Sequence, residues 1–223
     1  MKKIRKENKK ENNYIYFVLA ILGIVFVLAG RSYTSYQASR EQQVQKDIAR
    51  EIIRFHVIAN SDSANDQELK LKVKEKVVLQ LQSNLKEAKN IDQARKIIQS
   101  QLNKIEGTAL KVMNKNGYSY TAHAYLTKAT FPIKVYGDMV FPAGEYEALR
   151  VELGHAEGKN WWCVMFPTLC YVDGTYSVVP DKSKEKLKKV LSKEEYESLL
   201  IENKEKVKID FKILEWWESL VEK

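Results

Sequence analysis

The hydrophobic pattern begins with a polar, mostly basic block that is followed by an unbroken apolar segment. Residues 1–13 hold six Lys or Arg against two Glu, and residues 14–30 contain no charged side chain. This apolar segment falls within the roughly 17–25 residues that cross a hydrocarbon core as a helix, and exceeds the roughly 7–15 residues of the apolar region in a signal peptide. The order predicts a basic cytoplasmic segment at 1–13 and a transmembrane anchor or signal segment at 14–30.

The length of the apolar segment favours an uncleaved anchor. Val27-Leu28-Ala29 nevertheless offers a small-residue cleavage site, so a cleaved signal peptide stays open as the alternative. Positive charge is concentrated before the segment, and only Arg31 and Arg40 follow it before the first acid. The positive-inside rule then keeps the N-terminus in the cytoplasm, and residues 31–223 are predicted to be exported across the cytoplasmic membrane.

Beyond the apolar segment, the patterning predicts a helix, a strand and a second helix. Residues 31–53 are polar and helix-favouring, with an apolar stripe at Val44, Ile48 and Ile52, which indicates a helical stalk. Residues 54–59 read as a short strand that ends in the turn formers of residues 60–63. Residues 66–85 fit both a strand alternation and a four-residue helical repeat, but twenty residues without Gly or Pro favour a helix.

The remaining pattern predicts one more helix, a run of strands and a helical tail. The helix covers 92–113, and aromatic and β-branched segments follow at 118–126, 131–136, 145–153, 161–166 and 171–179. A helix at 182–203 contains Ser192 and Glu195 at capping-box spacing, and a strand at 207–213 precedes a short end with Trp216 and Trp217. Helices followed by strands predict an α+β fold, in which packed helices cover a mainly antiparallel sheet in one extracytoplasmic domain at 54–223.

Charge does not add a nucleic-acid role to this picture. The net charge of +8 comes from 37 basic and 29 acidic residues, of which six and two lie in residues 1–13. The remaining 31 basic and 27 acidic residues are interleaved, which is typical of a solvated surface. We therefore expect no nucleic-acid partner.

The two cysteines, Cys163 and Cys170, are expected to form a disulfide. If Pro167 occupies a turn between two strands, their Cα atoms can face each other across a hairpin, and export supplies an oxidising compartment. Two reduced, buried thiols are the alternative. A third possibility is an envelope hydrolase in which His155 activates Cys163, but a disulfide would remove the nucleophile and no orienting residue for His155 is recognisable.

Metal and cofactor chemistry are not expected. His56, His123 and His155 stand apart from one another, without the spacing that brings ligands to one ion. The segment Gly154–Asn160 is predicted to be a long hairpin connection between two strands, since a phosphate loop needs a strand-to-helix turn. We predict no catalytic residues, and hence that the chain is not an enzyme.

Two features are candidates for partner contact. The adjacent Trp161 and Trp162 point to opposite faces of a strand, so one of them is free to act as an anchor unless helices cover both. The polar residues that end the first strand are the second feature. The candidate contact residues are His56, Asn60, Ser61, Asp62, Trp161 and Trp162. Turn formation and helix capping explain Asn60 to Asp62 equally well.

Three stretches together resemble the stage II sporulation protein R family. They are Arg54-Phe55-His56-Val57-Ile58-Ala59-Asn60-Ser61-Asp62-Ser63 with Asp66-Gln67 and Leu69-Lys70-Leu71-Lys72-Val73 behind it, Phe141-Pro142-Ala143-Gly144-Glu145-Tyr146-Glu147-Ala148-Leu149-Arg150-Val151, and Gly154 through Asn160-Trp161-Trp162-Cys163-Val164-Met165-Phe166-Pro167-Thr168-Leu169-Cys170. The resemblance covers about residues 50–173, and neither the stalk nor the tail carries a matching motif.

The resemblance implies a signal of endospore-forming bacteria. It implies secretion from the forespore into the space between forespore and mother cell, with the N-terminal segment either kept as an anchor or removed. The implied partner is a membrane-embedded aspartic protease of the mother cell, which processes a pro-sigma-E precursor. In this reading the chain activates the protease and needs no cofactor of its own.

Overall fold

The computed structural model describes residues 2–170 and 178–202, and divides the chain into two compact units, Met1–Gln43 and Val44–Lys223. A single helix, α1, covers Lys2–Glu51. Its part from Tyr16 onward is long and apolar enough to cross a membrane, and the large apolar side chains described between Tyr16 and Leu28 are mostly exposed. Length and composition are compatible with both a membrane anchor and a signal peptide.

The second unit is built on a four-stranded sheet with the order β2-β5-β1-β6. Its strands are β1 (Ile53–Ile58), β2 (Ala122–Phe131), β5 (Gly144–Leu153) and β6 (Asn160–Phe166), and a separate hairpin is formed by β3 (Lys134–Tyr136) and β4 (Met139–Phe141). β1 runs parallel to β5, while β1 with β6 and β2 with β5 are antiparallel. The predicted α+β class with a mainly antiparallel sheet is confirmed.

The two faces of the sheet are covered by different elements. The helices α2 (Ala64–Glu87), α3 (Ile91–Ser100) and α4 (Leu102–Lys115) pack on the face that contains Phe55 and Trp161. Strand alternation places Arg54, His56 and Trp162 on the other face, where the β3–β4 hairpin lies. All six residues of β1 are buried, because this strand is interior to the sheet and covered on both sides.

The core also includes the end of α1. Ile48 and Ile52, two residues of the apolar stripe predicted for the stalk, are fully buried, and Val44 packs against them as a partly buried neighbour. The last turns of α1 therefore take part in the packing of the second unit.

Two predicted helices are each broken in the structure. The helix expected at 92–113 divides at Gln101, whose backbone (φ −111°, ψ 2°) leaves the helical region and whose N–H donates to the carbonyl of Ile98. Gly107 stays within α4, although glycine is a poor helix former. The helix expected at 182–203 consists of α5 (Asp181–Val190) and α6 (Lys193–Leu199), because Ser192 forms the predicted capping box and an N-cap residue has extended backbone angles.

The strand predictions are partly correct. β1, β5 and β6 are confirmed, whereas the segments expected at 118–126 and 131–136 are replaced by β2 from Ala122 to Phe131 and by the short β3. Residues 178 and 179 are not in a strand, and the rest of the strand expected at 171–179 lies outside the described residues. The strand at 207–213 and the Trp216 and Trp217 end also lie outside them.

The connection between β5 and β6 is not a hairpin. Both strands pair with β1, which lies between them, so the segment Gly154–Asn160 crosses the end of β1. The prediction of a hairpin was wrong because sequence neighbours need not pair when a third strand can be inserted between them. This crossing places the glycine-rich segment directly on the turn that follows β1.

Candidate functional site

The turn after β1 and the segment that crosses it form one unit, which we call the clamp (residues 60–62 and 154–159). The Asn60 side-chain oxygen accepts from the His155 N–H at 2.9 Å, and the Asp62 carboxylate accepts from the Lys159 N–H at 2.7 Å. Between these two bonds, the N–H of Gly158 donates to the carbonyl of Ala59 at 2.9 Å. The clamp is therefore held at both ends and in its middle.

Two glycines make this close approach possible. A Cβ on Gly158 would lie 2.6 Å from the Ser61 carbonyl carbon and against the carbonyl oxygen itself. A Cβ on Gly154 would meet the side-chain oxygen of Asn60, and the positive φ of Gly154 (+59°) is also unfavourable for other residues. The glycine spacing in the sequence thus reflects backbone packing on residues 60 and 61.

Below the clamp, the start of α2 supplies a buried carboxylate. Asp66 accepts hydrogen bonds from the Asn60 amide at 3.0 Å and the Ser61 hydroxyl at 2.6 Å. Burial raises the pKa of Asp66, but the hydrogen bonds from Ser61, Asn60 and Tyr120 outweigh it and leave the pKa below its usual value. The side chains of Asn60 and Ser61 are thus occupied inside the protein.

Lys70 ties the same helix to the far end of the clamp. Its ammonium group donates to the carbonyl of Lys159 at 2.9 Å and to the side chain of Gln67, which itself donates to the carbonyl of Ser61. Burial lowers the pKa of Lys70, and the nearby Asp62 partly opposes this effect. These contacts connect α2 to both segments of the clamp, residues 60–62 and residues 154–159.

The outer surface of the clamp carries polar side chains on a hydrogen-bonded backbone. His155 and Glu157 are exposed, and Ala156 between them has a positive φ of 55°, a strained value for a residue with a Cβ. Asp62 is exposed beside them. Because the backbone beneath is fixed by hydrogen bonds, these side chains are presented in a defined arrangement.

The predicted contact residue His56 is buried, with only 2% of its surface exposed. Its ring stacks on Trp162 at 4.9 Å between centroids and lies 5.4 Å from the Phe131 ring. Burial lowers the pKa of His56 to about 4, although a hydrogen bond with Asn160 opposes the shift and Arg150 adds to it. His56 is therefore neutral at pH 7 and cannot touch a partner directly in this conformation.

The two tryptophans lie on opposite faces of β6, as the alternation of a strand requires. Trp161 packs edge-on against Phe55 and has the Lys74 ammonium 4.7 Å from its ring centre. Trp162 covers His56 and contacts Phe131 at 4.6 Å. Both are half-buried, so each combines a packing role with a partly accessible edge.

Arg54 is a buried residue that the sequence patterning did not single out. It has no exposed surface, and its guanidinium lies 4.5 Å from the Phe131 ring centre and 5.1 Å from that of Tyr146. Tyr136 and Phe141 of the hairpin also face it. The available signal was a charged residue inside an otherwise apolar strand, which requires a specific partner if the strand is central.

Cys163 and Cys170 are joined by a disulfide, with Cα atoms 5.2 Å apart. The bond closes the turn that follows β6. In this form Cys163 has no free thiol, and His155 lies on the exposed surface of the clamp. Within residues 2–170 and 178–202, no three His, Cys, Asp or Glu side chains are placed to hold a metal ion.

The sequence of this chain is similar to that of known proteins. The family model described as stage II sporulation protein R matches residues 49–176. A curated relative named stage II sporulation protein R, from Bacillus subtilis (strain 168), is 35% identical over 221 residues, covering 92% of this chain and 96% of that protein. No solved structure gives a significant match.

Proposed function

The chain belongs to the stage II sporulation protein R family, and from this membership we propose that it is a sporulation signal which acts outside the cytoplasm by activating a membrane-embedded aspartic protease. The activated protease then cleaves a sigma-factor precursor in the mother cell. The chain itself is an activating ligand and performs no chemistry.

One observation carries the proposal: a curated relative named stage II sporulation protein R is 35% identical over 92% of this chain, and the family model matches residues 49–176, which follow the apolar segment at 14–30. A protein that must be exported to reach its target needs such a segment before its folded domain. The charge order around residues 14–30 supports export of the domain.

We place the contact surface on the outer side of the clamp. Asp62, His155 and Glu157 are exposed on a backbone that is already ordered, so a partner binds them without the entropic cost of fixing a mobile loop. Trp161 and Trp162 add partly exposed aromatic edges on the adjacent strand, which suits them as anchors. His56, Asn60 and Ser61 support this surface from below.

Reconstitution in a non-sporulating host tests the function. The full chain, the candidate protease and the sigma-factor precursor are coexpressed, and the size of the precursor is followed by immunoblotting. We expect conversion only when all three are present. Background conversion alone would refute the proposal.

The contact surface is tested in the same host. The double change His155→Ala with Glu157→Ala is expected to lower conversion at least tenfold while leaving the thermal unfolding midpoint within about 2 °C, because exposed side chains contribute little to stability. The matched control is Leu79→Ala, an exposed change further along α2, which is expected to leave conversion unchanged. The reverse pattern would place the contact surface on α2.

The role of the apolar segment is tested by delivery through another route. A chain starting near Arg31 behind an unrelated signal peptide is expected to activate the protease, if residues 14–30 serve only for export. Loss of conversion despite normal export would show that the segment also takes part in signalling.

A further inference from the structure

Aromatic rings partly compensate the positive charge of Arg54, but some of its guanidinium N–H groups lack hydrogen-bond acceptors among the described residues. The guanidinium lies among four aromatic rings, with the ring centre of Phe131 closest at 4.5 Å. Within residues 2–170 and 178–202, only its Nη2 group has a hydrogen-bond partner, the Tyr136 hydroxyl at 3.4 Å, while Nε and Nη1 are buried without one. Ring faces attract a cation, but they do not replace the acceptors that guanidinium N–H groups need.

No ion pair joins Arg54 to a carboxylate in residues 2–170 and 178–202, and the acidic side chains of β5 and the hairpin bind other cations. Glu147 on β5 binds Arg95, Glu152 binds Arg150, and Asp138 of the hairpin binds Lys184. Arginine keeps its proton in proteins, so the group cannot become neutral to escape the cost of burial, although burial lowers its pKa. A buried arginine in this state indicates that an acceptor comes from elsewhere.

His56 is a second buried side chain on the same face of β1, two residues further along the strand. Its Nδ1 lies 3.0 Å from the side-chain oxygen of Asn160 and donates to it, so Nε2 of the neutral ring carries no proton. Within residues 2–170 and 178–202, this Nε2 is buried without a hydrogen-bond partner. His56 therefore supplies no donor beside Arg54.

We propose that Arg54 anchors a buried binding site for a single carboxylate group. Guanidinium groups pair best with planar oxyanions, and a carboxylate oxygen supplies the acceptor that Nε and Nη1 lack. The carboxylate comes either from a free anion or from an acidic side chain of the partner, and the second source rests on the proposed function. Since Arg54 has no exposed surface, the group enters when the covering β3–β4 hairpin shifts.

The site is tested on the full chain purified in detergent and labelled with ¹⁵N. The arginine Nε–H signals are recorded while sodium formate replaces sodium chloride at constant ionic strength. We expect the Arg54 signal to move and saturate with formate, and the unfolding midpoint to rise by several degrees. An Arg54 signal that formate leaves in place would overturn the proposal.

Two variants control this titration. Arg54→Met identifies the signal by its loss and is expected to abolish the thermal response to formate, whereas Arg95→Met is expected to retain it, because Arg95 is already bonded to Glu147. If Arg54→Met does not fold, Arg54→Lys provides the assignment, and the wild-type titration still decides the question.

The source of the carboxylate is tested by precursor conversion in the coexpression host. The Arg54→Met variant is compared with the wild type once it is shown to fold and to bind no formate. A loss of at least tenfold in conversion would support an acidic side chain of the partner as the source of the carboxylate. Normal conversion by this variant would overturn that source and leave a free anion as the ligand. If the wild-type chain gives no conversion, the proposed function fails, while the formate titration still stands by itself.

Discussion

Replacing Gly158 by Ala tests whether the clamp is held as tightly as the structure indicates. The added Cβ would lie 2.6 Å from the backbone carbon of Ser61 and 2.9 Å from the Cβ of Ala59. The obstructing atoms at Ser61 belong to the backbone, which cannot rotate away as a flexible side chain would. The clamp must open to admit the methyl group, and the hydrogen bond from the Gly158 N–H to Ala59 is then lost or lengthened.

The expected cost follows from these two effects. Overpacking in a well-packed region costs about 1–3 kcal/mol, and a lost backbone hydrogen bond adds about 1 kcal/mol. We therefore expect Gly158→Ala to lower the free energy of unfolding by about 2–4 kcal/mol. For a chain of this size each kcal/mol corresponds to about 2–4 °C, so the midpoint falls by roughly 5–15 °C.

The assay is thermal unfolding of the full chain in detergent, followed by circular dichroism. Gly107→Ala is the matched control, because Gly107 lies within α4 and its added Cβ would meet nothing within 4 Å. Alanine is the better helix former, so this change is expected to stabilise the protein by about 0.5–1 kcal/mol. A Gly158→Ala midpoint within 2 °C of the wild type would show that the clamp is loosely packed, and the reasoning would be refuted.

Three further changes test other parts of the domain. Cys163→Ala and Cys170→Ala are each expected to lower the free energy of unfolding by about 2–3 kcal/mol, because the disulfide closes a small ring. The two changes are also expected to affect precursor conversion equally. A much larger loss of conversion for Cys163→Ala would indicate that Cys163 is a nucleophile. His56 has its pKa lowered from 6.5 to about 4, so the unfolded chain binds the proton first as the pH falls. The folded state should therefore lose up to about 3 kcal/mol between pH 6.5 and 4 in the wild type, and less in His56→Gln, as urea unfolding at each pH would show. Ser192→Ala removes the cap of α6 and should cost about 1 kcal/mol in the same assay, while Ser198→Ala, further along that helix, should cost less.

The contact residues show how far local patterning reaches. The sequence predicts a polar turn at Asn60, Ser61 and Asp62, and it allows both a contact and a capping interpretation of these residues. The structure assigns the side chains of Asn60 and Ser61 to internal hydrogen bonds with Asp66 and the crossing segment, and these partners are distant in sequence. The exposed residues of the clamp, His155 and Glu157, could not be separated from an ordinary loop until the crossing was known.

The sequence alone determined the features that depend on neighbouring residues. The apolar segment at 14–30, the helix of residues 64–87, the capping box at Ser192 and the α+β class all follow from periodicity, length and short-range chemistry. The family resemblance likewise rests on contiguous motifs.

Only the tertiary structure decided which strands pair and what lies on each face of the sheet. Inserting β1 between β5 and β6 replaces a hairpin by a crossing, buries Arg54 and His56, and gives the glycines their role. Segments that are distant in sequence bury both faces of the sheet, and this burial sets the strand order. The periodicity within one strand carries no information about which segment covers it.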